Sequence, residues 1–177
     1  HEIYLIDSTS ASLGYGILVL EAAKMRDEGK NIIEVKEYLE SVKRGINPYF
    51  TTNTLTYLAR GGRVTKIASI FGNVLSIKPI LRLDFDGHLL VHTKGHGKTN
   101  TYKKMLEAIK EQVENPENQT LYVSHSNAIE SAVEFAEMVK KELGFKDIFY
   151  SYIGSIIGSH TGPGLIAVFF YGKNRFE

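Results

Sequence analysis

The chain has 177 residues, 43% of them hydrophobic and 23% charged, with 21 Lys and Arg against 20 Asp and Glu, so its formal net charge is +1. That composition suits one globular domain, or one domain with part of another, and offers no basic surplus to direct it to nucleic acid or an anionic membrane. With no cysteine, disulfides and thiolate metal sites are excluded; no apolar run reaches the ~18 residues of a bilayer span, and a cytoplasmic location without stable membrane insertion is expected.

Residue 1 is His, and Ile3 to Ile6 read as a short buried strand ending at Asp7. Helical sequence follows at once, from Ser12 to Glu28, with Leu13, Ile17, Leu20 and Lys24 on one face and Gly29 as the stop. Asn31 with Glu34 has capping-box spacing and opens a second helix whose apolar stripe is Ile32, Val35, Leu39 and Val42. A buried strand feeding helices belongs to a parallel sheet and needs neighbouring strands. Residues 1–48 are therefore expected to be the last piece of an α/β domain whose other strands lie outside this chain. Gly45 to Pro48 carries turn chemistry and marks the boundary with a second domain, residues 49–177.

In that second domain, short helices are expected over Leu55 to Arg60 and Lys66 to Phe71. Leu75 to Leu83 reads as a strand, with Pro79 arguing for an edge or a kinked strand end. Asp86-Gly87 is a hairpin turn and Leu89 to Thr93 the returning strand. Then come a helix over Asn100 to Glu114, a strand over Thr120 to Ser124, and a long helix opened by Asn127 and Glu130 and closed at Gly144. Two strands follow, Asp147 to Ile153 and Leu165 to Tyr171. The pattern predicts an α/β sandwich with a mixed, largely antiparallel sheet.

Four clusters offer chemistry. Asp7 to Gly16 gathers polar side chains between a strand end and a helix start, where an anion can meet free N–H groups; an N-cap with a tight turn accounts for the same residues. Arg63, after Gly61-Gly62, projects a fork suited to phosphate or carboxylate; a helix C-cap with a solvated arginine is the plainer account. Gly154 to Gly164 sets Ser159, His160 and Thr161 among glycines beside Ile156 and Ile157. That combination suits an amphiphile with a polar head, or a glycine-rich connection with a structural histidine. His88, His92 and His96 fall on a hairpin strand, His88 and His92 on one face, with no carboxylate at matching spacing; a solvated strand face is favoured over a metal site. No G-x-S-x-G elbow, Walker loop or dinucleotide fingerprint occurs, and nothing in the spacing asks for a Ser8–His160 hydrolytic pair.

Taken together, the strand ending Ile6-Asp7-Ser8 with Ser12, Gly14 and Gly16, then Thr54-Leu55-x-Tyr57-Leu58-x-x-Gly61-Gly62-Arg63-Val64, then Leu75-x-Ile77-Lys78-Pro79-Ile80-Leu81, then Ile153-Gly154 through His160-Thr161-Gly162-Pro163-Gly164 resemble the DegV family in that order. The resemblance implies two α/β domains with a long-chain fatty acid, such as palmitate or stearate, in a tunnel between them. It implies carboxylate ligands that are mainly a threonine and a serine of an N-terminal domain outside this chain. It sets His160 near the carboxylate, with Ser159, Thr161 and Gly162 beside it and Ile156, Ile157 and Phe71 as candidate bore residues. No catalysis and no metal or other cofactor is implied. The expected partners are the fatty acid, the missing N-terminal segment of the same protein and, for some members, a fatty acid kinase subunit that phosphorylates the presented carboxylate. Arg63 would then face the kinase. The family's arginine-rich stretch after the hairpin is replaced by Lys94-Gly95-His96-Gly97-Lys98, so His96 stands where an arginine is expected. The alternative is a phosphotransferase subunit of dihydroxyacetone-kinase-like type acting on a small hydroxylated substrate.

Overall fold

The computed structural model describes residues 2–62 and 77–176. Six strands form one sheet: β1 (Ile46–Thr51), β2 (Ile77–Leu83), β3 (Leu89–His96), β4 (Thr120–His125), β5 (Asp147–Tyr152) and β6 (Ile166–Tyr171). Their order across the sheet is β3-β2-β1-β6-β4-β5. Every pairing is antiparallel except β4 with β5, so the sheet is mixed and largely antiparallel, as the pattern predicts. The helices are α1 (Leu13–Asp27), α2 (Ile32–Val42), α3 (Thr56–Arg60), α4 (Gly97–Gln112), α5 (Ile129–Leu143) and α6 (Ser155–Thr161).

Strand alternation assigns the two faces. Tyr49, Ile80, Leu121, Val123, Ile166, Val168 and Phe170 pack with α4 and α5 around Met105, Ile109, Phe135 and Val139. On the other face, Leu165, Ala167 and Phe169 pack with Ile17 and Leu18 of α1 and Leu39 of α2. β6 is thus buried on both sides, which its unbroken apolar run requires. Both helices of residues 1–48 lie against this second face.

Local chemistry explains several element ends. Asn31 Oδ1 accepts from the N–H groups of Ile33 and Glu34, and Glu34 accepts from Asn31 N, which completes the capping box. The hairpin turn is tied by Asp84 Oδ1, which accepts from Asp86 N at 3.0 Å and His88 N at 2.8 Å. Gly87 has φ +87 there, a conformation that favours glycine.

Other elements differ from expectation. Residues 3–6 are not a strand: Ile3 and Leu5 are 83% and 89% exposed. A strand exists only with a neighbour to take its hydrogen bonds, and no described strand lies beside this segment. The buried stripe of α1 is Gly14, Ile17 and Leu18, whereas Leu20 is half exposed. β2 is interior rather than an edge, but its pairing with β1 begins at Ile80, so Pro79 lies opposite Lys94 of β3 alone. The missing proline N–H therefore costs the sheet nothing on the β1 side. Asn127 does not cap α5: it takes φ +49, the N-cap is Ala128, and no side chain caps the helix. His125 Nδ1 accepts from Ala128 N at 3.4 Å instead. Gly154 to Gly164, for which no helix was expected, contains α6. Its Ser159 and Thr161 hydroxyls turn back to the helix carbonyls of Ile156 and Ile157, a local closure typical of these side chains. The expected helix Lys66 to Phe71 lies outside the described residues. Among the described residues, no helix is long and apolar enough to cross a membrane.

Candidate functional site

A cavity of about 550 Å³ opens on the α1 side of the sheet, within the ~300–1,000 Å³ usual for small-molecule sites. Its floor is the sheet itself, through Pro48 and Phe50 of β1 and Ala167 and Phe169 of β6. The register sets its direction. Thr51 pairs with Ile166 and Pro48 with Phe169, so the floor runs about 10 Å along the strands at ~3.3 Å per residue. At the Thr51 end stand His160, Thr161 and Leu165; at the Pro48 end stand Leu83, Leu89 and the hairpin turn at Gly87 and His88. Ala11 and Ser12 contribute from the segment before α1.

The glycine-rich segment is held from both sides. Gly162 has φ +72 and ψ −179, a region open essentially to glycine alone, and a Cβ there would overlap the Tyr57 ring. Its carbonyl accepts from Ser126 Oγ at 2.7 Å. Thr52 Oγ1 donates to the Thr161 carbonyl at 3.3 Å. α3 and α6 pack so closely that a Cβ on Gly61 would meet His160 Nδ1 at 2.5 Å. His160 is thereby fixed at one end of the cavity, half-buried.

Of the residues singled out from sequence, Ile156, Ile157, His160 and Thr161 come together in the cavity wall. Ile156 is 77% exposed. Gly162 braces the segment next to them, and Ser159 is exposed, with its hydroxyl committed to the Ile156 carbonyl. Arg63 and Phe71 lie outside the described residues. His96 is exposed at the end of β3, where its N–H donates to Asn100 Oδ1. The three histidines are separated. His88 precedes β3, and its Nδ1 lies 3.3 Å from Asp84 Oδ2. The ring of His92 meets Tyr49 edge-on at 5.5 Å, and burial holds its pKa below the ordinary value. Among the described residues, no three His, Cys, Asp or Glu side chains gather to hold a metal. The cavity floor was not anticipated. Its signal was present in Leu165, Ala167 and Phe169, which alternate with the equally apolar Ile166, Val168 and Phe170.

The family model described as "Uncharacterised protein, DegV family" matches residues 1–173. The chain belongs to the DegV family. It is 39% identical over 174 residues to a DegV domain-containing protein of Clostridium perfringens, covering 98% of this chain and 60% of that protein. A DegV family protein of Ruminococcus gnavus, refined with vaccenic acid, superposes with TM-score 0.87 at 27% identity over 95% of this chain and 60% of its own. A DegV family protein of Thermus thermophilus, described for its fatty acid binding, gives TM-score 0.86 at 27% identity, covering 96% and 61%. The chain thus spans about three-fifths of the length of these DegV relatives.

Proposed function

We propose that the protein binds a long-chain fatty acid, with the acyl chain in the cavity on the α1 side of the sheet and the carboxylate toward His160, at the end where Thr161 also lines the wall. The observation that carries this reading is the cavity's build: an apolar floor and walls, with the His160 imidazole at the end held by α6. Burying a hydrocarbon chain gains about 0.8 kcal/mol per methylene, while a buried carboxylate must meet donors. The vaccenic acid named for the Ruminococcus gnavus protein and the fatty acid binding stated of the Thermus thermophilus protein support the same class of ligand.

On this reading the protein is a carrier without catalysis of its own, and the rest of a full-length DegV protein supplies the facing wall and further carboxylate ligands. The division at residues 48 and 49 belongs to the same proposal. Ile3, Leu5, Tyr15 and Leu20, exposed on and before α1, are surface that such a wall would cover. The sequence resemblance extends the proposal to a separate kinase subunit that phosphorylates the presented carboxylate, with Arg63 and His96 toward it.

Native mass spectrometry of the full-length protein, followed by denaturing extraction, tests the carrier reading. A stoichiometric C16 or C18 fatty acid is expected. A clean apo mass with no uptake of added fatty acid overturns it. His160→Ala is expected to weaken a fatty acid more than its methyl ester; equal loss for both removes His160 from the head-group site.

A further inference from the structure

A second cavity, of about 480 Å³, opens at the same end of the sheet but on its opposite face, between the start of α5 and the ends of β1 and β2. Its character is polar. Lys78 and Lys98 both line it. Lys98 is tied to Glu134, whereas Lys78 Nζ donates only to the neutral Asn53 Oδ1, at 2.6 Å, and no carboxylate pairs with it among the described residues. Burial, and then the nearby Lys98 charge, hold the Lys78 ammonium below its ordinary pKa. A cation that is partly desolvated beside another cation lacks a counter-charge.

Two further groups converge on the same space. α5 begins at Ile129 after the N-cap Ala128, with no side-chain cap, and Ala128, Glu130 and Ser131 line the cavity, so the positive end of the helix opens into it. Thr51, which also lines it, is 4% exposed, and its hydroxyl has no hydrogen-bond partner among the described residues. A buried hydroxyl is rarely left unpaired unless a ligand or water completes it. The Glu130 carboxylate is the one acidic group among the described lining residues, which favours a compact anion seated toward Lys78 over an extended polyanion.

We propose that this cavity binds a small tetrahedral oxyanion of phosphate type, held by Lys78, the Thr51 hydroxyl and the first N–H groups of α5. The inference stands on this cavity alone and does not depend on lipid binding. The two cavities nevertheless share one segment: Thr161 lines the apolar one, and Pro163 and Gly164 line the polar one. Occupation of either bears on the same short segment, residues 161–164.

Isothermal titration of the full-length protein in a phosphate-free chloride buffer tests the proposal, with inorganic phosphate as one probe and phenyl phosphate as the other. Saturable binding of at least one probe is expected. Lys78→Met is expected to weaken it about tenfold, the loss of one charge-assisted hydrogen bond, and the isosteric Thr51→Val by about fivefold. Tighter binding of inorganic phosphate marks a site for the free ion; tighter binding of phenyl phosphate marks a site for a phosphoryl group on a larger molecule. Both outcomes uphold the proposal. Absence of saturation by either probe, or equal affinity in the wild type and Lys78→Met, overturns it. Fatty acid uptake measured on the same preparation reports separately on the carrier reading.

Discussion

Arg175 holds Thr9: its Nη1 donates to the Thr9 carbonyl at 2.7 Å and its Nη2 to the Thr9 hydroxyl. The arginine is 3% exposed, and Thr9 takes φ +47, an unusual conformation for a threonine. The pair joins the last residues of the chain to the segment that supplies Ala11 and Ser12 to the apolar cavity. Arg175→Met keeps the aliphatic bulk but removes both donors. It is expected to cost about 2–3 kcal/mol in urea unfolding; a loss below about 0.5 kcal/mol would show that Thr9 holds its turn unaided.

Gly162→Ala tests the brace behind His160. The substitution forces a side chain into a backbone region that costs about 1–3 kcal/mol for any residue but glycine, and its Cβ overlaps the Tyr57 ring. Stability is expected to fall by at least that amount. An unchanged melting temperature would mean that the segment relaxes without penalty.

Ala167→Phe places a ring on the cavity floor. Because space is already open there, overpacking is relieved, and stability is expected to change by less than about 1 kcal/mol. Fatty acid uptake is expected to fall about tenfold or more, the loss of two or more buried methylenes. Undiminished uptake, read by fluorescent fatty acid displacement, would move the ligand to another place.

Asp84 carries a pH dependence. Burial pushes its pKa up, but the N–H groups of His88 and Asp86, with the His88 imidazole, prevail and hold it below the ordinary carboxylate value. A carboxylate with a depressed folded pKa stabilises the fold fully above its unfolded pKa and loses that contribution as pH falls through the folded value. Asp84→Asn is therefore expected to be less stable than wild type at pH 7. The gap is expected to narrow only below about pH 4. A gap that stays constant from pH 7 to pH 2 would assign the effect to shape rather than charge.

Much of this architecture is legible in the sequence where one local signal suffices. Asp86-Gly87 specifies its turn, Asn31 and Glu34 specify a cap, and Gly144 ends α5 in the left-handed conformation. Residues whose state depends on distant partners are less legible. Ile3 and Leu5 have strand composition but no strand beside them. Leu20 has helix-face spacing, yet the sheet meets α1 along Gly14, Ile17 and Leu18. Gly158 lies inside α6 although its composition argues for a loop, because side-chain hydroxyls close that helix from within. His160 could be singled out by its polar and glycine neighbours. Its place with Leu165 at one end of a cavity floored by Phe50 is a product of tertiary packing that no short window records.

The place of β6 has a consequence for synthesis. It is the last of the six described strands in chain order, yet it lies between β1 and β4. Until residues 166–171 leave the ribosome, the nascent chain holds a three-stranded ladder and a two-stranded ladder with no strand to join them. Each ladder then presents a free edge. Translation thus completes the sheet by insertion at its centre rather than by growth at its rim, and a pause before residue 166 would leave two open edges for chaperones, or for other chains, to find.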